Sequence, residues 1–227
     1  MQRYIIEDHG GNVENAKFML SEAMRICQRD GMSRITLFVP NKGSFPSTVV
    51  GQFLGGVTKK LCKGEAVCLT ENISLDLQSA NKVRHICHYE MIVGVYLSLE
   101  SLFKLESEVS AKAIIFLPWM EDEGKRWLST WDATILGANT WQVQQTSLPP
   151  DVENALSGLT HGINLSTGLI HPFDRKAARS VLTELRDLGH ALCSADVRSW
   201  AVRNGWRPDD AKDLADEVAR IFKSDRT

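Results

Sequence analysis

The stretch "TLFVPNKGSFPSTVV", residues 36–50, joins one apolar run to a turn and then to a second apolar run. Residues 34–40, "RITLFVP", become continuously apolar, which is typical of a strand that is covered on both faces. Pro46 or Ser47 begins a helix, because apolar residues follow at helical spacing up to Leu61. The stretch therefore predicts strand, turn and helix in succession, which is the repeating step of a parallel α/β sheet.

The same step is predicted on both sides of this stretch. We predict strands at 3–7, 34–40, 66–69, 112–118 and 132–137, with a sixth at 140–146. We predict helices from Val13 to Gly31, after Pro46, over a long region from about Leu75 to Glu108, and at 120–131. Residues 1–147 are therefore expected to form an α/β domain: a parallel sheet of about five or six strands, with helices on both faces.

The rest of the chain has a different pattern. Residues 148–172 are rich in Gly, Ser, Thr and His, and we interpret them as a connector. Three helices are predicted after it, at 174–188, at 194–204 and from Pro208 to about Lys223. Residues 173–227 are therefore predicted to be a small helical subdomain. Its charges nearly balance, which argues against a DNA-reading helix in the turn "RNGWRPDD".

Charge and cysteine content limit the choice of partners. The chain has 26 basic and 28 acidic residues and a formal net charge of −2, so neither nucleic acid nor an anionic membrane is expected as a partner. The five scattered cysteines favour reduced thiols, and no apolar run reaches membrane-span length. We therefore expect a soluble cytoplasmic protein. Homo-oligomer formation is left open.

The loops after the predicted strands are where a ligand is expected, because ligands of open parallel sheets bind beyond the carboxyl ends of the strands. These segments are His9–Asn12, 40–47, 70–72, 119–122 and 137–139. The richest of them offers a lysine, a glycine and several hydroxyl groups beside a helix start, which is the chemistry of an anion site. Its candidate ligand-binding residues are Asn41, Lys42, Gly43, Ser44, Ser47 and Thr48. The alternative is a turn in which a serine only caps the helix.

Other residues at these loops offer weaker signals. Trp119 follows a predicted strand directly, so it forms either a ligand-stacking wall or part of the core. Acid–base chemistry would fall to Glu71, Glu121, Asp122 or His9, but the sequence shows no paired partner for any of them. His85 and His88 stand three residues apart without a second pair of ligands, so no metal site is predicted.

A family resemblance covers residues 3–72. The segment "ENAKFMLSEAMRICQRDGMSRITLFVPNKGSF" (14–45), followed by a helix and "AVCL", resembles the carboxy-terminal domain of pyruvate kinases and its stand-alone relatives. In some members the corresponding turn binds a sugar phosphate effector, so the resemblance implies contacts from Lys42, Gly43, Ser44 and Ser47. The catalytic barrel of that family is absent from this chain, so kinase activity is not implied.

Three functional hypotheses remain open from the sequence. The first is a binding or regulatory module for a phosphorylated metabolite or a nucleotide, and it is the one we favour. The second is a hydrolase or transferase that acts on a nucleotide-like substrate. The third is a structural component that interacts with other proteins. The sequence identifies neither a catalytic residue nor a cofactor.

Overall fold

The computed structural model describes residues 1–7, 10–80, 87–137 and 141–222. The chain divides into two compact units, 1–144 and 145–227. The predicted boundary at residue 147 lies close to this division. Among the described residues, no helix combines the length and the apolar character that a membrane span requires.

The first unit is built around a seven-stranded sheet. Its strands are β1 (Gln2–Ile6), β2 (Arg34–Val39), β3 (Val67–Cys68), β4 (Ser74–Ser79), β5 (Cys87–Val95), β6 (Val109–Leu117) and β7 (Thr134–Leu136). Its helices are α1 (Val13–Asp30), α2 (Val49–Leu54), α3 (Gly56–Cys62), α4 (Leu99–Glu108) and α5 (Glu121–Trp131). The strand order is β3-β4-β2-β5-β6-β1-β7, and among the described residues only the β3–β4 pair is antiparallel. The predicted α/β class is confirmed, with slightly more strands than expected.

Helices cover both faces of this sheet because side chains alternate along each strand. On one face Leu37 and Leu77 share a buried apolar cluster with side chains of α1, α2 and α3. On the other face Phe116 of β6 packs against Trp127 of α5, with ring centroids 5.6 Å apart. Gly94 of β5 leaves room there for a leucine of α4. The central strands are therefore buried on both sides, as their apolar sequence predicted.

Helix α1 forms where its sequence places the signals. Asn12 is the N-cap, and its side chain accepts a hydrogen bond from the Glu14 N–H at 2.8 Å. Gly31 ends the helix in the left-handed conformation, which glycine adopts without steric cost. The predicted apolar stripe is buried at Ala16, Leu20 and Cys27. The sequence pattern was sufficient for this helix because caps and periodicity agree.

The predicted long helix between Leu75 and Glu108 is wrong, since β4 and β5 lie within that region and α4 forms only its end. The period of two in "SLDLQS" explains the error: Leu75 and Leu77 point to one face of the sheet, and Asp76 points to the other. The predicted strand at 66–69 is reduced to two antiparallel residues. The predicted sixth strand at 140–146 is also wrong for the described residues 141–146, which form no strand.

The second unit consists of helices α6 (Pro150–Gly162), α7 (Pro172–Asp187), α8 (Ser194–Arg203) and α9 (Pro208–Phe222). The three predicted C-terminal helices are α7, α8 and α9, so that prediction is confirmed. The predicted connector at 148–172 is corrected, because it contains α6, whose Val152 and Leu156 are fully buried. Gly158 and Gly162 obscured the helical pattern of α6. The indole N–H of Trp206, in the α8–α9 turn, donates a hydrogen bond to Thr160 Oγ1 of α6 at 2.9 Å.

Glu217 of α9 is a buried acid surrounded by arginines. Arg179 donates two hydrogen bonds to it at 2.9 and 3.0 Å, and Arg220 donates another at 3.0 Å. Burial alone would raise the pKa of Glu217, but the hydrogen bonds and charge of Arg179, with further charge from Arg220 and Arg175, lower the pKa below its usual value. The carboxylate therefore stabilises the folded helices while it is ionised.

Gly51→Ala tests the packing of α2. A Cβ at Gly51 would overlap the carbonyl oxygen of Phe45 and lie 3.0 Å from Pro46 Cα, and both are backbone atoms that cannot rotate away. We expect a loss of about 1–3 kcal/mol in the free energy of unfolding, measured by urea denaturation. Gly56→Ala is the control, because a Cβ there meets nothing within 4 Å. Equal stability of the two variants would contradict this packing.

Glu217→Gln tests the arginine cluster. At pH 7 we expect a loss of about 1.5–3 kcal/mol in unfolding free energy, the contribution of hydrogen bonds to a charged group. The pKa of Glu217 is lower in the folded protein than its unfolded value of about 4.3. The difference in unfolding free energy between the wild type and the variant is therefore complete above that unfolded pKa, and it disappears as the pH falls through the folded pKa. Urea denaturation from pH 7 to pH 3 measures both effects. Asp213→Asn, at an exposed acid 4.0 Å from Arg175, should cost less than about 0.5 kcal/mol. An undiminished difference at pH 3 would refute the assignment.

Candidate functional site

The carboxyl ends of the parallel strands form one edge of the sheet, which we call the rim. Its described segments are residue 7 with 10–12 after β1, 40–44 after β2, residue 80 after β4, 96–98 after β5, 118–120 after β6 and residue 137 after β7. The loop after β1 leads into α1 on one face, and the loop after β6 leads into α5 on the other. These adjacent strands send their chains to opposite faces, and ligands of open α/β sheets bind at such a point, so we call the position between the two loops the crevice. His9, Ala138 and Asn139 lie outside the described residues.

The turn at 70–72 does not join the rim, although the sequence predicted that it would. Because β3 is antiparallel, this turn leads into the amino end of β4. Thr70 and Asn72 line a cavity of about 370 Å³ together with Gly31 and Ser33, which precede β2. They therefore lie at the opposite edge of the sheet. Glu71 of the same turn is separated from the rim and from the other candidate acids there.

The loop at 41–48 satisfies its polar groups largely within itself. Asn41 Oδ1 accepts from the Gly43 N–H at 2.7 Å, and the hydroxyl groups of Ser44 and Ser47 donate to the carbonyls of Asn41 and Ser44 at 3.1 and 2.7 Å. Thr48 caps α2 by accepting from the Gly51 N–H at 3.1 Å. The geometry is that of a turn and a helix cap, the alternative that the sequence left open.

Lys42 of this loop lies on the side of β4. Its backbone carbonyl oxygen accepts a hydrogen bond from the thiol of Cys62, with 3.6 Å between sulfur and oxygen. Lys42 also lines a cavity of about 270 Å³ along the outer edge of β4. Val49, which follows the loop, instead approaches the loop after β1, because a Cβ at Gly11 would lie 3.0 Å from Val49 Cγ2. The two ends of the predicted anion loop thus lead to different places.

Trp119 lies at the crevice and is 51% exposed. Its ring packs edge-on against Tyr96, with centroids 5.2 Å apart, and a Cβ at Gly11 would lie 3.6 Å from it. Tyr96 adopts a positive φ of 54°, which is strained for a residue with a side chain. Its hydroxyl is buried and has no hydrogen-bond partner among the described residues, and burial raises its pKa. The sequence analysis missed Tyr96, since no local pattern reports its backbone conformation.

The start of α1 forms the other wall of the crevice. Gly10 has a φ of 76° and Gly11 follows it directly, so the chain turns tightly between β1 and the helix. Asn15, in the first turn, is only 9% exposed, and its Nδ2 has no hydrogen-bond partner in the part of the chain that the structure describes. Side chains of a helix lean towards its amino end, so this amide group lies over the first turn. The sequence analysis also missed Asn15.

Two acids in the first turn of α5, the candidate Glu121 and its neighbour Glu123, are engaged in local contacts. Glu121 pairs with Lys125 at 2.5 Å, one turn further along the helix. Glu123 Oε1 accepts from the Leu99 N–H at the start of α4 at 3.2 Å. Asp122 lies in the same first turn, where negative charge complements the helix dipole. These contacts are structural.

The histidine pair of the sequence analysis falls largely outside the described residues. His85 is not described, and His88 is exposed at the start of β5. Within the ranges that the structure describes, no group of three or more His, Cys, Asp or Glu side chains is arranged to hold a metal ion.

Comparison with known proteins concerns the second unit. The family described as Domain of unknown function (DUF1889) matches residues 148–227. No curated protein and no solved structure matches the chain. The family match includes no residue of the rim, so the resemblance of residues 3–72 to pyruvate kinases stays a prediction. The functional argument therefore depends on the geometry of the first unit.

Tyr96→Phe tests the buried hydroxyl. Removing a buried polar group without a partner should raise the unfolding free energy by about 1–3 kcal/mol. Tyr4→Phe is the matched control, because the Tyr4 hydroxyl donates to Gln2 at 2.7 Å and accepts from Arg29 at 2.9 Å. The unfolding free energy of Tyr4→Phe should fall by about 0.5–1.5 kcal/mol. Urea denaturation measures both changes, and a loss of stability in Tyr96→Phe would show that its hydroxyl has a partner.

Proposed function

We propose that the first unit is a binding or regulatory module for a nucleotide or a related phosphorylated metabolite, bound in the crevice between the start of α1 and Trp119. The ligand's anionic group would face the first turn of α1, and its planar ring would lie on Trp119. This keeps the function favoured by the sequence analysis. The proposed anion-binding segment is 10–15, whereas the sequence analysis placed the anion site in the loop at 41–48.

The observation that carries the proposal is the buried amide of Asn15. A buried donor without a partner costs about 1–3 kcal/mol, so an acceptor supplied by a ligand would recover stability on binding. The amide is in the first turn of an 18-residue helix, where unpaired backbone N–H groups and the helix dipole also favour an anion. Gly10 and Gly11 allow the backbone to approach a ligand closely.

The aromatic wall supports a ligand with a planar ring. Trp119 is held by its edge contact with Tyr96, which leaves a large part of its surface exposed. Stacking on an aromatic side chain contributes about 1–3 kcal/mol per base. A phosphorylated metabolite without a ring would use only the anion side of the crevice. Nucleotides are therefore the first ligands to test.

The geometry gives less support to the alternatives. A hydrolase or transferase needs an acid or base close to the ligand. Glu121 and Glu123 are held by Lys125 and by the backbone of α4. A purely structural role would leave the buried amide of Asn15 as an uncompensated cost. A binding module accounts for both the amide and the exposed Trp119.

Asn15→Leu and Trp119→Ala test the crevice. Isothermal titration calorimetry with ATP, AMP, GTP and NAD should detect binding to the wild type. Loss of the Asn15 hydrogen bond should weaken binding about 10-fold to 100-fold, while the unliganded protein gains about 1–3 kcal/mol in unfolding free energy. Trp119→Ala should weaken binding of these ligands by a similar factor and leave the affinity for inorganic phosphate unchanged.

Phe173→Ala is the matched control for the aromatic variant, because Phe173 is 74% exposed and belongs to the second unit. It should bind every ligand as the wild type does. A thermal-shift screen widens the search to sugar phosphates, since a ligand at 100 times its dissociation constant adds about 2.7 kcal/mol. If no nucleotide or phosphorylated metabolite binds at millimolar concentration, the proposal fails.

A further inference from the structure

A second candidate site lies in the first unit, at the outer edge of β4, where buried polar atoms lack hydrogen-bond partners within the described chain. The β3–β4 hairpin pairs only at Val67 with Leu75 and Cys68 with Ser74. Beyond these pairs the two arms diverge, and Gly64 and Ala66 face residues 76–79 of β4 across the 270 Å³ cavity. We call this space the hairpin cavity. Residues 76–79 have no strand partner on this side in the described part of the chain. Alternate residues of such an edge direct N–H and C=O groups outwards.

Asp76 is the buried acid of the hairpin cavity. It is only 6% exposed, and its Oδ2 accepts from Arg34 Nε at 2.6 Å. Its Oδ1 is buried and has no hydrogen-bond partner among the described residues. A buried carboxylate oxygen without a donor is costly, more so than a neutral group. Because Asp76 also lines the hairpin cavity, a molecule bound there is one source of an N–H or O–H donor.

Thr36 lies beside Asp76 in the sheet and is also buried. Thr36 and Asp76 are register partners on parallel strands, so both side chains point to the same face. Thr36 is 1% exposed, and its Oγ1 also lacks a hydrogen-bond partner within the described ranges. Two adjacent buried polar groups, on different strands, are thus incompletely satisfied.

The charges around the hairpin cavity define the ligand class. Lys42 and Arg34 line it together with Asp76, so it combines positive charge with a carboxylate oxygen that needs a donor. A simple anion would leave Asp76 Oδ1 unsatisfied, and a simple cation would face both basic side chains. A molecule that carries both charges satisfies both requirements. The cavity volume suits a molecule of the size of a free amino acid.

We propose that the hairpin cavity binds a free α-amino acid, whose ammonium group donates to Asp76 Oδ1 and whose carboxylate faces Lys42. The outward N–H groups of the β4 edge offer further donors to that carboxylate. The site is separate from the crevice at Trp119 and does not depend on nucleotide binding there.

Calorimetry with the twenty amino acids tests the proposal on the full chain. We expect at least one amino acid to bind with a millimolar or lower dissociation constant. For each one that binds, the analogue without the ammonium group and the analogue without the carboxylate should bind at least tenfold more weakly; for alanine these are propionate and ethylamine. Equal binding of the analogue without the ammonium group would overturn the role of Asp76.

Three variants complete the test. Asp76→Asn keeps an acceptor for Arg34 but loses the charge, and it should weaken amino acid binding at least tenfold. Lys42→Gln should also weaken it, with little risk to folding, since the Lys42 side chain has no hydrogen bond or ion pair among the described residues. Lys60→Gln, an exposed lysine of α3, is the matched control and should bind as the wild type does.

The remaining outcomes decide against the proposal. If inorganic phosphate binds in a manner sensitive to Lys42→Gln while no amino acid binds, the cavity is an anion site. If neither binds, and a crystal structure shows only ordered water between Asp76 and Thr36, water satisfies these groups. Asn15→Leu should leave amino acid affinity unchanged. A loss there would show that the hairpin cavity and the crevice are a single site.

Discussion

The parallel pairing of β2, β5, β6 and β1 is the constraint on which the rest of the first unit depends. Strands that run in one direction need crossover connections, and these connections carry the helices that bury both faces. Leu37 is buried under one set of helices and Phe116 under the other. The same pairing brings four carboxyl ends to one rim. The crevice at Trp119 lies where adjacent strands at that rim send their helices to opposite faces.

The sequence predicted those elements whose local signals agree with one another. Helix α1 has a cap at Asn12, an apolar stripe and a terminal Gly31, and β2 is a continuously apolar run before a proline. Strands β4 and β5 were mistaken for a helix, because a long segment rich in leucine and valine satisfies several periodicities at once. The antiparallel turn of β3 also escaped prediction. Strand direction is set by pairing partners that are distant in sequence, and no residue near Val67 records it.

The candidate sites were less predictable than the fold. Trp119 was identified because it follows a strand directly, which is a local signal. Asn15 and Asp76 were not identified, since their importance lies in polar atoms that lack partners after folding. That property depends on everything packed around them. The hydroxyl groups at 41–48 show the opposite case: their residue types suit an anion, and folding directs them to nearby carbonyls. Composition identifies the groups present, and only tertiary structure shows which ones remain available.

Buried polar groups of this chain differ in how far the fold satisfies them, and this difference bears on the two candidate sites. In the second unit the buried carboxylate of Glu217 accepts hydrogen bonds from Arg179 and Arg220, so its charge is balanced within the fold. In the first unit Asn15 and Asp76 each retain a buried atom without a partner in the described chain. A fold selected for stability alone gains by replacing such groups with apolar ones of similar shape. Both proposed ligand sites rest on this observation, because a ligand at the crevice or in the hairpin cavity would supply the missing partner.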